Sequence, residues 1–76
     1  MPKSVGRKVG TIRSQFSKAV IARRKDRGLS QMAVASLAGV SVVRLSEIEG
    51  ETTFPRLDTI EKVANALGIV LSVEAA

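Results

Sequence analysis

The sequence has 76 residues, of which 45% are hydrophobic and 25% charged, and it contains neither cysteine nor histidine. This length allows one small domain with a marginal core. The missing residue types exclude disulfides, the usual zinc sites and histidine-based catalysis. We therefore expect a protein that is not an enzyme and that needs no cofactor.

The location of the protein is indicated by its apolar runs. None of them approaches the roughly 20 residues that span a membrane. Met1–Gly10 also lacks the apolar stretch of a secretory signal. We therefore expect a cytoplasmic protein.

The charge is distributed unevenly along the chain, whose formal net charge is +5. Nine of the 12 basic residues lie in Met1–Arg27 against one acidic residue, Asp26, whereas Gly28–Ala76 has three basic and six acidic residues. Such asymmetry favours a face or arm that meets a polyanion. The alternative is a solvated helix that follows a disordered tail.

The first ten residues show no usable periodicity and contain Pro2, Gly6 and Gly10. We expect residues 1–10 to form a flexible basic arm, separate from a domain that covers residues 11–76. Lys3, Arg7 and Lys8 would make that arm suitable for contacts with phosphates. An untethered terminus without such contacts is an equally good interpretation.

A first helix is predicted from about Ile12 to Arg27, with Thr11 as a possible cap and Gly28 as its terminator. Its apolar positions, Ile12, Phe16, Ala19 and Val20, recur at helical spacing. Only two aromatic residues occur, Phe16 and Phe54, and we expect Phe16 to lie at the centre of the core.

Two short amphipathic helices follow, over residues 31–38 and 42–49, with Gly39 at the turn between them. Ser30 and Ser41 each precede a helix, where a hydroxyl can accept an orphan backbone N–H. Ala35 is small enough for the two helices to cross closely. This pattern predicts a helix-turn-helix, whose second helix enters the DNA major groove. A plain helical hairpin of a bundle has the same periodicity.

The chain ends with a fourth helix and a segment of a different kind. Leu57, Ile60, Val63, Ala64 and Leu67 predict a helix over residues 57–67 that faces the core. Residues 69–74 alternate and are rich in β-branched residues, which predicts a strand. Because the sequence offers no second strand, we expect this one to pair with the same strand of a second copy across a two-fold axis. A disordered tail is the alternative.

The pattern formed by several of these residues resembles that of a known family, the Cro/repressor-like (Xre-type) helix-turn-helix domains. The resemblance extends over most of Phe16–Val73 and rests on Ser30, Gln31, Ala35, Gly39, Val40, Ser41, Leu45, Ile48, Glu49, Pro55, Leu57, Ala66, Leu67 and Gly68. It implies a mainly α protein, with a compact four-helix domain that binds double-stranded DNA. The C-terminal strand is similar to that of the Hip-type antitoxins, where such a strand builds a dimer sheet.

The resemblance also assigns roles to particular side chains. It implies an ion pair between Arg24 and Glu49, and a phosphate contact from Gln31 at a helix N-terminus. The DNA-facing residues of the second motif helix would be Ser41, Val42, Val43, Arg44, Ser46 and Glu47. This face is unusually apolar for a repressor. The valines suit thymine methyl groups, Arg44 a guanine or a phosphate, and Glu47 the N4 amino group of cytosine.

Two positions depart from the family pattern. Ala33 replaces a residue that is usually acidic, which should weaken the helix over residues 31–38 slightly. Leu37 replaces a residue that is usually polar. We expect Leu37 either to widen the core or to lie at a contact between subunits.

Together these features predict a transcriptional repressor that binds an inverted repeat as a homodimer in the cytoplasm, at the nucleoid. The expected dimer contacts are Ile69, Val70, Leu71, Ser72 and Val73. The antitoxin branch would add autoregulation of a toxin–antitoxin operon and a kinase-like toxin as a partner. The alternatives are a protein-interaction module that uses the Val42–Val43 surface, and a phage-type repressor without a toxin partner.

Overall fold

The structure, a computed structural model, describes the backbone of residues 2–71 and the side chains of residues 13–71. It contains four helices: α1 (Pro2–Asp26), α2 (Gln31–Ala38), α3 (Val42–Gly50) and α4 (Leu57–Leu67). Residues 2–71 include no strand. The predicted mainly helical fold is therefore confirmed for this part of the chain.

Helix α1 is longer than the sequence pattern predicts, because it begins at Pro2 and not near Ile12. Residues 2–10, which the sequence pattern placed outside the first helix, are helical. That they act as a flexible arm separate from the domain stays a prediction. Proline is well accommodated in the first turn of a helix, and a glycine inside a helix costs only about 1 kcal/mol. Neither residue type therefore prevents α1 from extending towards its N-terminus.

The predicted C-terminal strand begins inside the described residues and continues beyond them. Residues 69–71 have no regular secondary structure, and residues 72–74 lie outside the described part of the chain. A strand without a neighbour leaves its backbone groups unpaired, and a single copy provides no neighbour among its described residues. The pairing of two copies stays a prediction.

The core is built from all four helices. Its buried apolar side chains are Val20 of α1, Val34, Ala35 and Ala38 of α2, Leu45 and Ile48 of α3, and Val63, Ala64 and Leu67 of α4. Phe16, Leu29 and Val40 are partly buried and pack against this cluster. The helical periodicity therefore identified the core-facing side of α2, α3 and the second half of α4 correctly.

Two predictions about the core are wrong. Leu57 is 71% exposed, and Phe16 is only partly buried and packs against the core cluster, not at its centre. The second aromatic residue, Phe54, is 72% exposed. The fully buried residues of α4 all lie in its second half, so its first turn projects beyond the helices that cover the rest. The Phe54 ring instead stacks on the guanidinium of Arg13, whose Cζ lies 4.3 Å from the ring centroid. Such a cation–π contact holds an aromatic ring at a surface.

Among the described residues, no single helix is long and apolar enough to cross a membrane. The bent pair formed by α2 and α3 passes the same test only when the two helices are counted together.

Candidate DNA-binding surface

Helices α2 and α3 form a sharp corner, with an angle of 114° between them. Gly39 makes the turn with a left-handed φ of 75°, a conformation that favours glycine. Its N–H and that of Val40 donate to the carbonyls of Ser36 and Ala35, at 3.3 and 3.0 Å, which caps the end of α2. Two helices at 90–120° joined by a short glycine-containing turn define a helix-turn-helix. The predicted geometry of the motif is confirmed.

Both predicted serine caps are present. The Ser30 hydroxyl accepts the N–H of Ala33 at 3.0 Å, and the Ser41 hydroxyl accepts the N–H of Arg44 at 3.0 Å. Each bond satisfies one of the donors that a helix N-terminus leaves free. The remaining N–H groups in the first turns of α2 and α3 therefore stay available for an anion such as a phosphate.

Helix α3 packs against the rest of the domain through only one of its sides. Leu45 and Ile48 are buried on that side, at 0% and 2% exposure. The opposite side exposes Val42, Val43, Arg44 and Ser46, with Glu47 half-buried beside them. The structure thus brings the predicted DNA-contacting residues of α3, together with Ser41, onto one accessible surface.

An ion pair fixes the C-terminal end of α3. Arg24 Nε donates to Glu49 Oε2 at 2.7 Å, and Arg24 Nη2 donates to Glu49 Oε1 at 2.9 Å. Their side chains are only 15% and 7% exposed. The implied pair is therefore confirmed, and it is a partly buried bidentate contact. Bidentate geometry fixes direction as well as distance, so it orients α3 against α1.

Gln31 completes this network, because its Nε2 donates to Glu49 Oε1 at 2.9 Å. Burial raises the pKa of Glu49, but the hydrogen bonds from Arg24 and Gln31 and the nearby positive charges outweigh burial and lower it. The carboxylate thus stays ionised at neutral pH. The side chain of Gln31 is half-buried, and a phosphate contact from it would use the atoms that Glu49 leaves free.

Sequence reasoning missed one residue of this arrangement, Ser17. Its side chain is 1% exposed, and its hydroxyl donates to the backbone carbonyl of Glu49 at 2.8 Å. That carbonyl is one of those that the end of a helix leaves without a partner. Ser17 lies three residues before Val20 and seven before Arg24, which places all three on the inner face of α1. This helical spacing is the feature of the sequence that could have identified Ser17 as an inward-facing residue.

The exposed surface of α3 combines one ion pair with two valines. Arg44 Nη1 lies 3.8 Å from Glu47 Oε1, and these side chains are 48% and 35% exposed. Val42 and Val43 are 38% and 64% exposed.

Lys3, Arg7 and Lys8 belong to α1, but their side chains lie outside the described range, so their contacts with DNA stay predictions.

The angle between α2 and α3, the capped turn and the free outer side of α3 define the class of the protein. It is a helix-turn-helix protein, the class whose second helix docks in the major groove of DNA. Residues 15–75 match the family model described as a helix-turn-helix domain, and the chain belongs to this family. The resemblance to the Cro/repressor-like domains is thus confirmed at the level of the family.

One relative is an immunity repressor protein of Bacillus phage phi105, which is 45% identical over 49 residues. The match covers 64% of this chain and 34% of the relative, so the chain spans about a third of that protein's length. No solved structure gives a significant match to the chain.

Proposed function

We propose that the protein is a sequence-specific regulator that binds double-stranded DNA and represses transcription, acting by binding alone and not as an enzyme. The observation that carries this proposal is the free outer side of α3, held at 114° to α2 by capped helices and the Arg24–Glu49 pair. The identity shared with a phage immunity repressor supports the repressor function. The proposed place of action is the nucleoid, in the cytoplasm.

We further propose that it binds an inverted repeat as a homodimer. One helix-turn-helix reaches only a few base pairs, whereas two copies about 34 Å apart reach successive major grooves on one side of the duplex. Val70 is 89% and Leu71 46% exposed, although both are apolar. Pairing of residues 69–73 between two copies would cover them and complete the strand.

The antitoxin role is the finest level of the proposal. It rests on the similarity of the C-terminal segment to the Hip-type antitoxins, and it requires a kinase-like toxin as a second partner. A phage-type repressor without a toxin is the second candidate, and the phi105 relative favours it. Co-expression with the product of the adjacent gene distinguishes them, because only the antitoxin forms a stable complex with that product.

The test of DNA binding begins with the purified full-length protein and a library of randomised duplexes. We expect selection to yield an inverted repeat, and affinity to fall steeply between about 50 and 200 mM salt as phosphate contacts release counterions. Arg44→Ala should reduce the discrimination between selected and random DNA if Arg44 binds a base. Gln31→Ala should weaken binding to both equally.

Failure of the library to yield any bound duplex would contradict the proposal and leave the protein-interaction module. An equal loss on selected and random DNA for Arg44→Ala would assign Arg44 to a phosphate. The melting temperature of Gln31→Ala is the necessary control, because Gln31 also donates to Glu49.

A further inference from the structure

The row of residues on α3 that lies farthest from the core begins with Val43. Helical spacing places Val43, Ser46, Glu47 and Gly50 on the side opposite Leu45 and Ile48. Val43 is 64% exposed there, in the first turn, which is the part of a recognition helix that meets base edges. The small residues Ser46 and Gly50 let the rest of this row approach a groove closely.

The polar side chains around Val43 make contacts within their own helix. The Ser41 hydroxyl accepts the N–H of Arg44 at 3.0 Å, and Arg44 lies 3.8 Å from the carboxylate of Glu47. Val42, beside Val43, is 38% exposed. The first turn therefore offers a base pair an apolar surface made of two valines, beside the exposed guanidinium of Arg44.

Only one group on the major-groove edge of the base pairs is apolar, the methyl group on C5 of a pyrimidine. Valine in a helix has essentially one rotamer, so the contact costs little side-chain entropy. A valine forms no hydrogen bond, and it therefore cannot distinguish the O4 of thymine from the N4 amino group of cytosine.

We propose that Val43, flanked by Val42, binds the C5-methyl group of a pyrimidine whether thymine or 5-methylcytosine carries it. This inference rests on the proposed function and specifies the chemistry that its site recognises. An operator with cytosine at that position is therefore bound more tightly when C5 of this cytosine is methylated, because 5-methylcytosine presents the same methyl group as thymine.

The experiment uses the full-length protein and the duplex obtained by selection. At each thymine of the half-site, probes carry thymine, uracil, cytosine or 5-methylcytosine, with the matching purine opposite. At one position we expect thymine to bind about fourfold more tightly than uracil, the factor that corresponds to burying one methyl group. We expect 5-methylcytosine to exceed cytosine by the same factor.

Val43→Ala supplies the matched protein variant, since alanine keeps the helix and removes the two methyl groups. We expect it to abolish both methyl effects, so that thymine and uracil probes bind it with equal affinity, and 5-methylcytosine and cytosine probes likewise. Arg44→Ala on the same helix is the control, and it should retain both effects. Thermal melting of each variant verifies that it is folded.

Equal affinity for thymine and uracil at every position would overturn the proposal. So would a thymine effect that persists in Val43→Ala, or one that is not matched by 5-methylcytosine. Failure to bind any duplex would overturn the proposed function as well, whereas binding without dependence on the methyl group overturns this inference alone.

Discussion

Glu49 joins three helices through a single side chain and its own carbonyl. Its carboxylate accepts hydrogen bonds from Arg24 of α1 and Gln31 of α2, and its carbonyl accepts the Ser17 hydroxyl. Breaking a partly buried ion pair leaves a charge without its partner, which costs more than the loss of a fully exposed pair. The charge of Glu49 therefore determines how firmly α3 is held.

The lowered pKa of Glu49 makes part of the stability depend on pH. Because the pKa is lower in the folded protein than the ordinary value of 4.5, ionisation stabilises the fold fully above 4.5. That contribution is lost as the pH falls below this value through the folded-state pKa. We expect Glu49→Gln to reduce the free energy of unfolding at pH 7 by about 1.5–3 kcal/mol, the range for hydrogen bonds to charged groups.

Urea unfolding of wild type and Glu49→Gln between pH 7 and pH 3 measures this effect. We expect the two curves to approach each other in acid, since the variant has no charge to lose. Curves that stay parallel throughout would contradict the role assigned to Glu49. Glu47→Gln, on the exposed side of the same helix, is the control and should have little effect on stability.

Glu51 is the residue that ends α3, with a left-handed φ of 57°. It is the only non-glycine residue with positive φ among the described residues, and the neighbouring Gly50 belongs to the helix. A side chain in this conformation costs roughly 1–2 kcal/mol. A glycine at this position removes that strain, but it loses more conformational entropy on folding, which cancels part of the gain. We expect Glu51→Gly to raise the free energy of unfolding by about 0.5–1 kcal/mol, or a few degrees in melting temperature.

Two variants control for this prediction. Glu51→Gln removes the charge but keeps the side chain, so it should give no such gain. Gly39→Ala is the reverse case, because its φ is 75° and an added Cβ meets no atom within 4 Å. It should lower the melting temperature through the backbone alone. A gain in Glu51→Gln equal to that in Glu51→Gly would show that charge, and not backbone strain, is responsible.

The crossing of α2 with its neighbours depends on a small residue. Ala35 is 3% exposed and belongs to the core cluster formed with α3 and α4. Ala35→Leu would add three carbon atoms where there is no room, and overpacking of this kind costs about 1–3 kcal/mol. We expect a lower melting temperature by circular dichroism. Ser36→Leu, exposed on the same helix, should cost little, and an unchanged melting temperature in Ala35→Leu would contradict this packing.

Local rules of sequence accounted well for the elements that carry the site. The serine caps, the turn at Gly39 and the buried side of α3 each depend on residues a few positions apart, which a pattern records. The Ser17 bond to Glu49 and the stacking of Arg13 on Phe54 join distant parts of the chain. Such contacts depend on how the helices pack. The start of α1 was missed because proline and glycine were interpreted as breakers.

We expect the protein to act as a homodimer. Leu71 lies outside the helices and is 46% exposed, so a proline there should leave a single copy folded. In the paired strand it would remove a ladder donor and an apolar contact. We expect Leu71→Pro to shift the protein from dimer to monomer in light scattering and to weaken operator binding more than removal of residues 1–10 does.

The control for this prediction is Leu37→Ala. Leu37 is 64% exposed, which excludes a place in the core and leaves a subunit contact as its predicted role. An unaltered dimer in Leu71→Pro together with a monomer in Leu37→Ala would move the interface to the helices.

The one-sided attachment of α3 has a consequence for evolution. Leu45, Ile48 and Glu49 hold the helix, whereas Val42, Val43, Arg44 and Ser46 are exposed to solvent. Exposed substitutions usually change stability by no more than about 0.5 kcal/mol. A lineage can therefore exchange these residues and drift to new operators while the scaffold stays folded. Duplicated copies in one genome could thus diverge into regulators that do not interfere with each other.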